Sequence, residues 1–374
     1  EEVEEGRAPR TRKCPESMSS EDLRMHSLTH IPYHPGCKCC VAGRKRDHKH
    51  PRRHSGQARM QADLEAAHGA SICADYFFPR DAPGKLIVTA VAICDVSSQF
   101  LAGHVVDSKG AGADTAVKRV LRDLRKMGHF GDVKVRMGQE PALTDLFRAI
   151  ARERGKASMR TVLTHSAPYD SKGNGQAEKA VQSIEEIVRT LFIDLEQRCG
   201  ESLSVHDSFF PWLVEHACDL LNRFKVRRGN KTAWEYLTGE PYTGEIYPFG
   251  TPVMHRISGP VQGGVMSERW FDGIWIGLQF SSGEHLVALN DGRVIRARAV
   301  DPRPDTVKIT REALNQIRVG PWDPSEVITQ DSEDKPSPSK DEMQPSPTDE
   351  PVPRSVRITQ ERLERFGFSK GCPK

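Results

Sequence analysis

The sequence predicts an α/β protein with a mixed central sheet and smaller modules on either side. Short β-branched and apolar runs alternate with amphipathic stretches between residues 70 and 195. The chain has 374 residues, 37% of them apolar and 28% charged, which allows two or three domains. Its longest apolar stretch, residues 86–94, is too short to cross a bilayer, so no membrane partner is expected.

The elements of this core follow one another in a definite order. We expect strands at 71–78, 86–95, 100–106, 133–137 and near 160–163, with helices at 112–126 and 141–153 after the third and fourth strands. A last helix carries Glu178 in its first turn. Its apolar positions recur every three or four residues, so one face should pack on the sheet; they are Val181, Ile184, Ile187, Val188, Leu191 and Leu195.

A cluster of histidine and cysteine precedes the core. Residues 21–30 predict a short helix, capped by Ser19 or Ser20, that places His26 and His30 on one face. Cys37 and Cys40 follow after a turn, and these four N and S ligands suit tetrahedral zinc. His34 and Cys39 remain open as replacement ligands, and the alternative is a group of surface side chains in a basic tail.

The cysteines indicate the redox compartment of the protein, and the distribution of charge indicates the kind of partner it binds. Nine scattered cysteines do not form the framework of a secreted disulfide protein, so a reducing, intracellular compartment is expected. The net charge of +3 combines a basic segment at 38–59 with an acidic one at 321–350. The basic segment either contacts a phosphate backbone or is a solvated linker.

The region after the core divides into a helical and a β-rich part. Residues 208–237 predict helix in large part, with an apolar stripe typical of packing. Beyond Pro248, four or five short strands with a hairpin turn at Asn290, Asp291 and Gly292 predict a small SH3-like barrel. Arg296 and Arg298 should share a face of its last strand, which either contacts DNA phosphates or is ordinary solvated surface.

Motifs along most of the chain belong together: HSLTH with CKCC, DYFF, QEPA, SKGNGQAEKAVQ, TAWEYLTGEPY, and RWFDGIWIGLQF leading to EHLVALNDGRV. Together they resemble the integrase region of a Ty1/copia-type retrotransposon polyprotein. The resemblance implies a zinc-binding N-terminal module, an RNase H-like core with an Asp, Asp, Glu triad, and a small β-rich C-terminal module. The chain starts at Glu1 without Met, as expected of a piece of such a polyprotein.

The resemblance also implies the catalytic residues. Asp75 matches the first carboxylate, which should bridge two Mg²⁺ or Mn²⁺ ions, and Glu178 matches the third, which should hold one. Gly138 stands where the second aspartate belongs, and glycine offers no oxygen ligand. Glu140 is a weak substitute, because its position before Pro141 suits the start of a helix.

DNA, both element ends and target, is the implied partner. Candidate contacts besides the two arginines are Asn174 and Gly175, in the loop before the last helix, and Lys179. Self-association and a nuclear location at the integration step follow from the family by analogy.

Two functions compete. The first is a retrotransposon integrase mediating DNA integration, impaired in this copy by Gly138. The second is an inactive, integrase-derived DNA-binding protein that keeps the fold and zinc module; a zinc-finger adaptor without an RNase H-like core is a third.

The predicted domain boundaries are a disordered tail at 1–19, the zinc module and basic linker at 20–60, the catalytic core at 65–200, a helical extension at 201–244, the barrel at 245–305, and a largely disordered acidic tail at 306–374.

Overall fold

A five-stranded mixed sheet lies at the centre of the computed structural model. Its strands are β1 (Ile72–Phe77), β2 (Thr89–Asp95), β3 (Leu101–Val106), β4 (Val133–Met137) and β5 (Thr161–His165), in the order β3-β2-β1-β4-β5. β1, β2 and β3 are antiparallel neighbours, whereas β4 runs parallel to β1 and β5 parallel to β4. The mixed α/β class and the predicted order of the core elements are therefore confirmed.

The structure describes residues 18–45, 72–82, 85–110, 114–165, 175–227, 230–256, 267–304, 306–322 and 327–329. These all lie in one compact unit, Glu1–Glu333. Helices in this part of the chain are α1 (Ser20–Ser27), α2 (Lys38–Arg44), α3 (Asp114–Lys126), α4 (Pro141–Gly155), α5 (Gly175–Cys199), α6 (Phe210–Phe224), α7 (Ala233–Thr238) and α8 (Arg311–Asn315). None of these helices combines the length and the apolar character needed to span a bilayer.

Side chains alternate along β1 between two apolar clusters, as the period of a strand requires. Ile72, Ala74 and Tyr76 belong to the cluster that includes residues of α3 and α4. Phe77 belongs to the opposite cluster, which includes the apolar stripe of α5 and most of α6. Cys73 and Asp75 share the parity of Phe77, so they face the side of the sheet that α5 covers.

Helix boundaries follow local chemistry. Ser19 caps α1 by accepting a hydrogen bond from the backbone N–H of Asp22 at 3.0 Å, as predicted. Pro141 occupies the first turn of α4, where its missing N–H costs nothing. The stretch 208–237, predicted to be helical in large part, contains two helices, α6 and α7, and Thr232 begins the second with a capping box.

A second sheet follows the helices. Its strands are β6 (Thr251–Arg256), β7 (Trp270–Leu278), β8 (His285–Ala288), β9 (Val294–Ala297), β10 (Val300–Pro302) and β11 (Val327–Thr329), in the order β10-β6-β7-β8-β9-β11. Gly292, at φ 89°, makes the predicted turn between β8 and β9. Among the described residues no pairing joins the two edge strands, so the SH3-like barrel stays a prediction.

Residues 306–322 pack back onto the core. Ile309, Leu314, Ile317 and Val319 are buried in the cluster that contains α5 and α6. The prediction placed residues 306–374 in a largely disordered tail, whereas residues 306–322 belong to the packed part of the chain. The sequence did not indicate this segment, because charged residues separate its apolar ones. In addition, α8 has only five residues, too few to show a helical period.

Candidate active site and metal-ligand cluster

Asp75 occupies the middle of the central strand β1. Its side chain is half-buried, and Oδ1 accepts a hydrogen bond from the backbone N–H of Tyr76 at 2.9 Å. A carboxylate in this position is costly to bury unless it has partners or a ligand. The strand therefore fixes one oxygen ligand rigidly on the face that α5 covers.

Gly138 follows the last residue of β4 and lies beside Asp75. The parallel register pairs Ala74 with Met137, so the next positions along both strands are Asp75 and Gly138. The Gly138 carbonyl accepts a hydrogen bond from His165 Nδ1 at 3.2 Å, and its backbone lacks the positive φ that would require glycine. The backbone conformation at this position is therefore one that an aspartate can adopt.

Glu178 lies in the first turn of α5, and its side chain is exposed. A contact ties this turn to β1: Cys73 Sγ donates to Gln176 Oε1 at 3.8 Å. Cys73 is two residues before Asp75 on the same face of the strand. The start of α5 is thus held over the face that carries Asp75, and the two predicted carboxylates lie on the same side of the sheet.

Glu140, the weak substitute for the missing second aspartate, already has a partner. Glu140 Oε1 accepts from Lys109 Nζ at 2.6 Å, and Lys109 also lies over the Phe78 ring, 4.4 Å from its centroid. Glu140 is the N-cap residue of α4, as predicted from Pro141, although its side chain does not bond the helix N–H groups. Recruiting Glu140 to a metal would require breaking the Lys109 pair.

Two carboxylates and a glycine do not provide the ligands that a two-metal site requires. Such sites need hard oxygen ligands converging from separate elements. Within the described ranges, groups of three or more neighbouring His, Cys, Asp or Glu ligands occur at the N-terminal cluster and not at Asp75. The residues present therefore fit a paired catalytic Mg²⁺ or Mn²⁺ site poorly.

The N-terminal cluster does bring its predicted ligands together. The ligand atoms of His26, His30, Cys37 and Cys40 all lie within 4.8 Å of one another. His26 Nε2 is 3.2 Å from Cys40 Sγ, and His30 Nδ1 is 3.5 Å from Cys37 Sγ and 3.9 Å from Cys40 Sγ. Ligands around tetrahedral zinc, with its bond lengths of 2.0–2.3 Å, are separated by about 3.5 Å. The four side chains fit such an ion.

Backbone and charge prepare this cluster for a cation. His30 has φ 53°, an uncommon conformation for a residue other than glycine, and its Nδ1 lies beside both cysteines. Burial opposes ionisation of the Cys40 thiol, but His30, the His34 backbone, Arg44 and His26 together lower its pKa. A lowered pKa favours the thiolate, which is the form that binds metal.

The two remaining candidates in this cluster have other partners. His34 Nδ1 accepts a hydrogen bond from the backbone N–H of Gly36 at 3.0 Å. Burial, with Asp194 and the neighbouring cysteines, raises the pKa of Cys39 to about 12, and its thiol donates to Gln197 Oε1 at 3.4 Å. Cys39 does form a second close group with His30 and Asp194.

The predicted nucleic-acid contacts are less unified than the sequence suggests. Asn174 and the basic segment at 46–59 lie outside the described residues, while Gly175 begins α5 and Lys179 is exposed on it. Arg296 is half-buried on β9 and lines a cavity. Arg298 lies just beyond the end of β9, is exposed and pairs with Glu284 at 3.4 Å.

A cavity of about 100 Å³ lies away from the predicted catalytic residues. β3, α3, α6 and β7 enclose it, and its polar lining includes His104, Glu215 and His216. His104 is held between Asp123 and Glu215, and Arg119 Nη2 lies 2.6 Å from Glu215. These charges compensate one another, which is the usual state of buried ionisable groups.

Comparisons with known proteins add shape likenesses. No family model matches the sequence, and no curated protein matches it. A chain of the simian T-cell lymphotropic virus intasome in complex with PP2A regulatory subunit B56 gamma aligns at 15% identity and TM-score 0.35, over 77% of this chain and 98% of that one. The HTLV-2 integrase catalytic core domain in complex with magnesium aligns at 13% identity and TM-score 0.30, over 45% and 95%. The BIV integrase catalytic core domain aligns at 14% and 0.29, over 46% and 95%. TM-scores this low decide neither fold nor function.

Proposed function

We propose that this chain is a retroelement integrase of the Ty1/copia type, which acts in DNA integration, and that this copy binds DNA but is impaired in strand transfer. The observation that carries the proposal is the placement of three positions: Asp75 on β1, Gly138 beside it at the end of β4, and Glu178 on the helix that covers their face. The sheet order β3-β2-β1-β4-β5, which is that of an RNase H-like core, supports it.

Impairment follows from the chemistry of position 138. Metal-dependent phosphoryl transfer holds the attacking and leaving oxygens between two divalent cations, which converging carboxylates position. Asp75 and Glu178 supply two of the three groups. Glu140 supplies no replacement, because Lys109 holds it at 2.6 Å.

Binding functions do not depend on that position. The His/Cys cluster fits zinc, and structural zinc would order the N-terminal helices. DNA contact belongs to the basic segment at 38–59, to Gly175 and Lys179 at the start of α5, and to Arg296 and Arg298, with Asn174 in the preceding loop. Self-association on paired DNA ends and a nuclear site of action belong to the same proposal.

A strand-transfer assay with Mn²⁺ on the purified chain tests the proposal. Gly138→Asp should raise product formation by on the order of 100-fold or more, the scale by which one electrostatic group changes kcat. Gly138→Ala is the matched control, because it adds a side chain without a carboxylate. Adding Glu178→Gln to Gly138→Asp should return activity to background.

Two further measurements test the metal-binding and the DNA-binding parts of the proposal separately. Manganese affinity, measured by paramagnetic resonance without DNA, should increase in Gly138→Asp only. Anisotropy of a labelled DNA duplex should show the same salt-dependent binding in every variant. Strand transfer by the unmodified chain near the level of Gly138→Asp would contradict impairment, and absence of DNA binding would contradict the function itself.

A further inference from the structure

Asp194 joins the His/Cys cluster to the helix that carries Glu178. Its Oδ1 lies 3.4 Å from His30 Nε2, while the other ring nitrogen, Nδ1, faces Cys37 and Cys40. His30 is almost fully buried, so bulk water does not reach this nitrogen. The imidazole therefore has one nitrogen beside the metal-ligand cluster and the other 3.4 Å from a carboxylate on α5, a pair that does not have hydrogen-bond geometry here.

Other contacts hold Asp194 in place. Arg198, one turn later on α5, donates from Nε to Asp194 Oδ2 at 2.8 Å. Arg198 Nη2 also donates to the backbone carbonyl of Phe249, just before β6. The connection runs from the cluster through His30, Asp194 and Arg198 to the second sheet. Asp194 is thus held between a histidine of the cluster and an arginine of its own helix.

We propose that Asp194 is a positioning residue, which accepts a hydrogen bond from His30 Nε2 and so orients Nδ1 toward a divalent metal held by His26, His30, Cys37 and Cys40. Metal binding and the packing of α1 and α2 on α5 then stabilise each other. The proposal rests on the metal-binding part of the proposed function and is independent of strand transfer.

The physical reason is the fixed geometry of imidazole. A histidine that binds metal through one nitrogen carries its proton on the other, and an acceptor there selects the tautomer, holds the ring plane and makes the ligand more basic. Asp194 is placed for this role without touching the metal. Glu178 lies sixteen residues earlier on α5, about 24 Å away along the axis.

Asp194 is better placed as an outer partner than as a metal ligand. Asp194, His30 and Cys39 do form a close group. The Cys39 thiol, however, donates to Gln197 Oε1 at 3.4 Å, and His30 would have to bind through Nε2, away from Cys37 and Cys40. The set of His26, His30, Cys37 and Cys40 needs no such change, because the ligand atoms of these four residues already lie together.

Cobalt titration of the full reduced chain tests this inference, because Co²⁺ reports both affinity and ligand set by its visible spectrum. Asp194→Ala should weaken Co²⁺ binding about 10–100-fold, the usual effect of losing an outer partner. The band positions should not change, since all four ligands remain. Asp194→Asn should lose less, because its amide oxygen still accepts from His30.

Glu196→Gln is the matched control. It removes the same charge two residues away on α5, where Glu196 accepts from the backbone N–H of Leu203 at 2.9 Å. Its Co²⁺ affinity should equal that of the unmodified chain. Equal weakening in Glu196→Gln and Asp194→Asn would reduce the effect to general electrostatics and overturn the proposal.

Hydrogen exchange supplies the second readout. Zinc should protect the amides of residues 187–199 of α5 in the unmodified chain, and this protection should be much smaller in Asp194→Asn. Unchanged Co²⁺ affinity in both Asp194 variants, or shifted bands that mark Asp194 as a ligand, would overturn the proposal. If the unmodified chain binds no Co²⁺, or His26→Ala and Cys37→Ala bind it equally well, the metal site itself fails.

Discussion

Arg223 places a full charge inside the molecule. Its side chain has no exposed surface, and its Nε donates to Asp219 Oδ2 at 2.7 Å within α6. The guanidinium carbon lies 4.1 Å from the centre of the Trp234 ring and 4.2 Å from that of Tyr242, two rings that meet edge to face at 82°. This arrangement combines cation–π contacts to the two rings with an ion pair to the carboxylate.

Removing this arginine should cost more than removing an exposed one. Arg223→Leu leaves the Asp219 carboxylate buried without its partner, so we expect a loss of about 3–5 kcal/mol in the free energy of unfolding. Urea denaturation at neutral pH measures it. Burial already raises the pKa of Asp219, and without Arg223 the group protonates more readily, so the loss should shrink in acid.

The chain offers a control and a rescue. Arg148→Leu breaks an exposed pair with Asp145, in which the side chains are 67% and 56% exposed, and should change stability by less than about 1 kcal/mol. Replacing Asp219 by Leu together with Arg223→Leu should recover most of the loss. Equal effects of Arg223→Leu and Arg148→Leu would show that burial of the pair is energetically unimportant.

Individual residues were predictable where type and spacing carry the chemistry. The C-x2-C spacing and the spacing of the two histidines indicated four side chains whose ligand atoms the structure places within 4.8 Å, although α1 ends at Ser27 and His30 lies beyond it, not on the predicted helix. Asp194 was missed, although an aspartate between Leu191 and Leu195 on an apolar stripe is a signal of a buried partner. Its partner, His30, is 164 residues away, and no local pattern links them.

Among the elements, α5 links the central sheet to the N-terminal helix α2 and to α6. It carries Glu178, covers β1 and β2, and contacts α2 along its second half. α2 approaches closely because Gly43 has no side chain. A Cβ at that position would lie 2.8 Å from Thr190 Cα and 2.9 Å from Thr190 N, which are backbone atoms that cannot move aside. The periodicity of α5 predicted its packed face, but not which elements would cover it.

Gly43→Ala should therefore separate the N-terminal helices from α5. We expect a loss of about 1–3 kcal/mol, typical of overpacking, and faster hydrogen exchange in residues 18–45. Gly155→Ala is the matched control, because Gly155 ends α4 and a Cβ there meets no atom within 4 Å. It should be neutral or stabilising by up to about 1 kcal/mol. Unchanged exchange in Gly43→Ala would show that α2 is not held against α5.

At the scale of the whole molecule, the central sheet was predictable from the sequence, but the packing of residues 306–322 against the core was not. Strands of alternating or continuous apolar residues and helices of clear period define the core locally. Residues 306–322 lack both signals, yet they cover the first turn of α6. Trp212 Nε1 donates to the Val319 carbonyl at 2.8 Å, and Arg311 Nη2 pairs with Asp207 at 2.9 Å.

A chain ending at residue 304 should consequently fail to fold stably. It loses four buried apolar side chains, each contributing about 1.5–3 kcal/mol. Their sum, about 6–12 kcal/mol, is similar to the whole stability of a typical domain, about 5–15 kcal/mol.

A chain ending at Glu333 keeps every described residue and should show the cooperative thermal unfolding of the full chain. Leu314→Asp in the full chain should reproduce much of the loss, since Leu314 is fully buried. Calorimetry of the three proteins measures it, and a cooperative transition at an unchanged Tm in the 1–304 chain would mean that this segment is not part of the core.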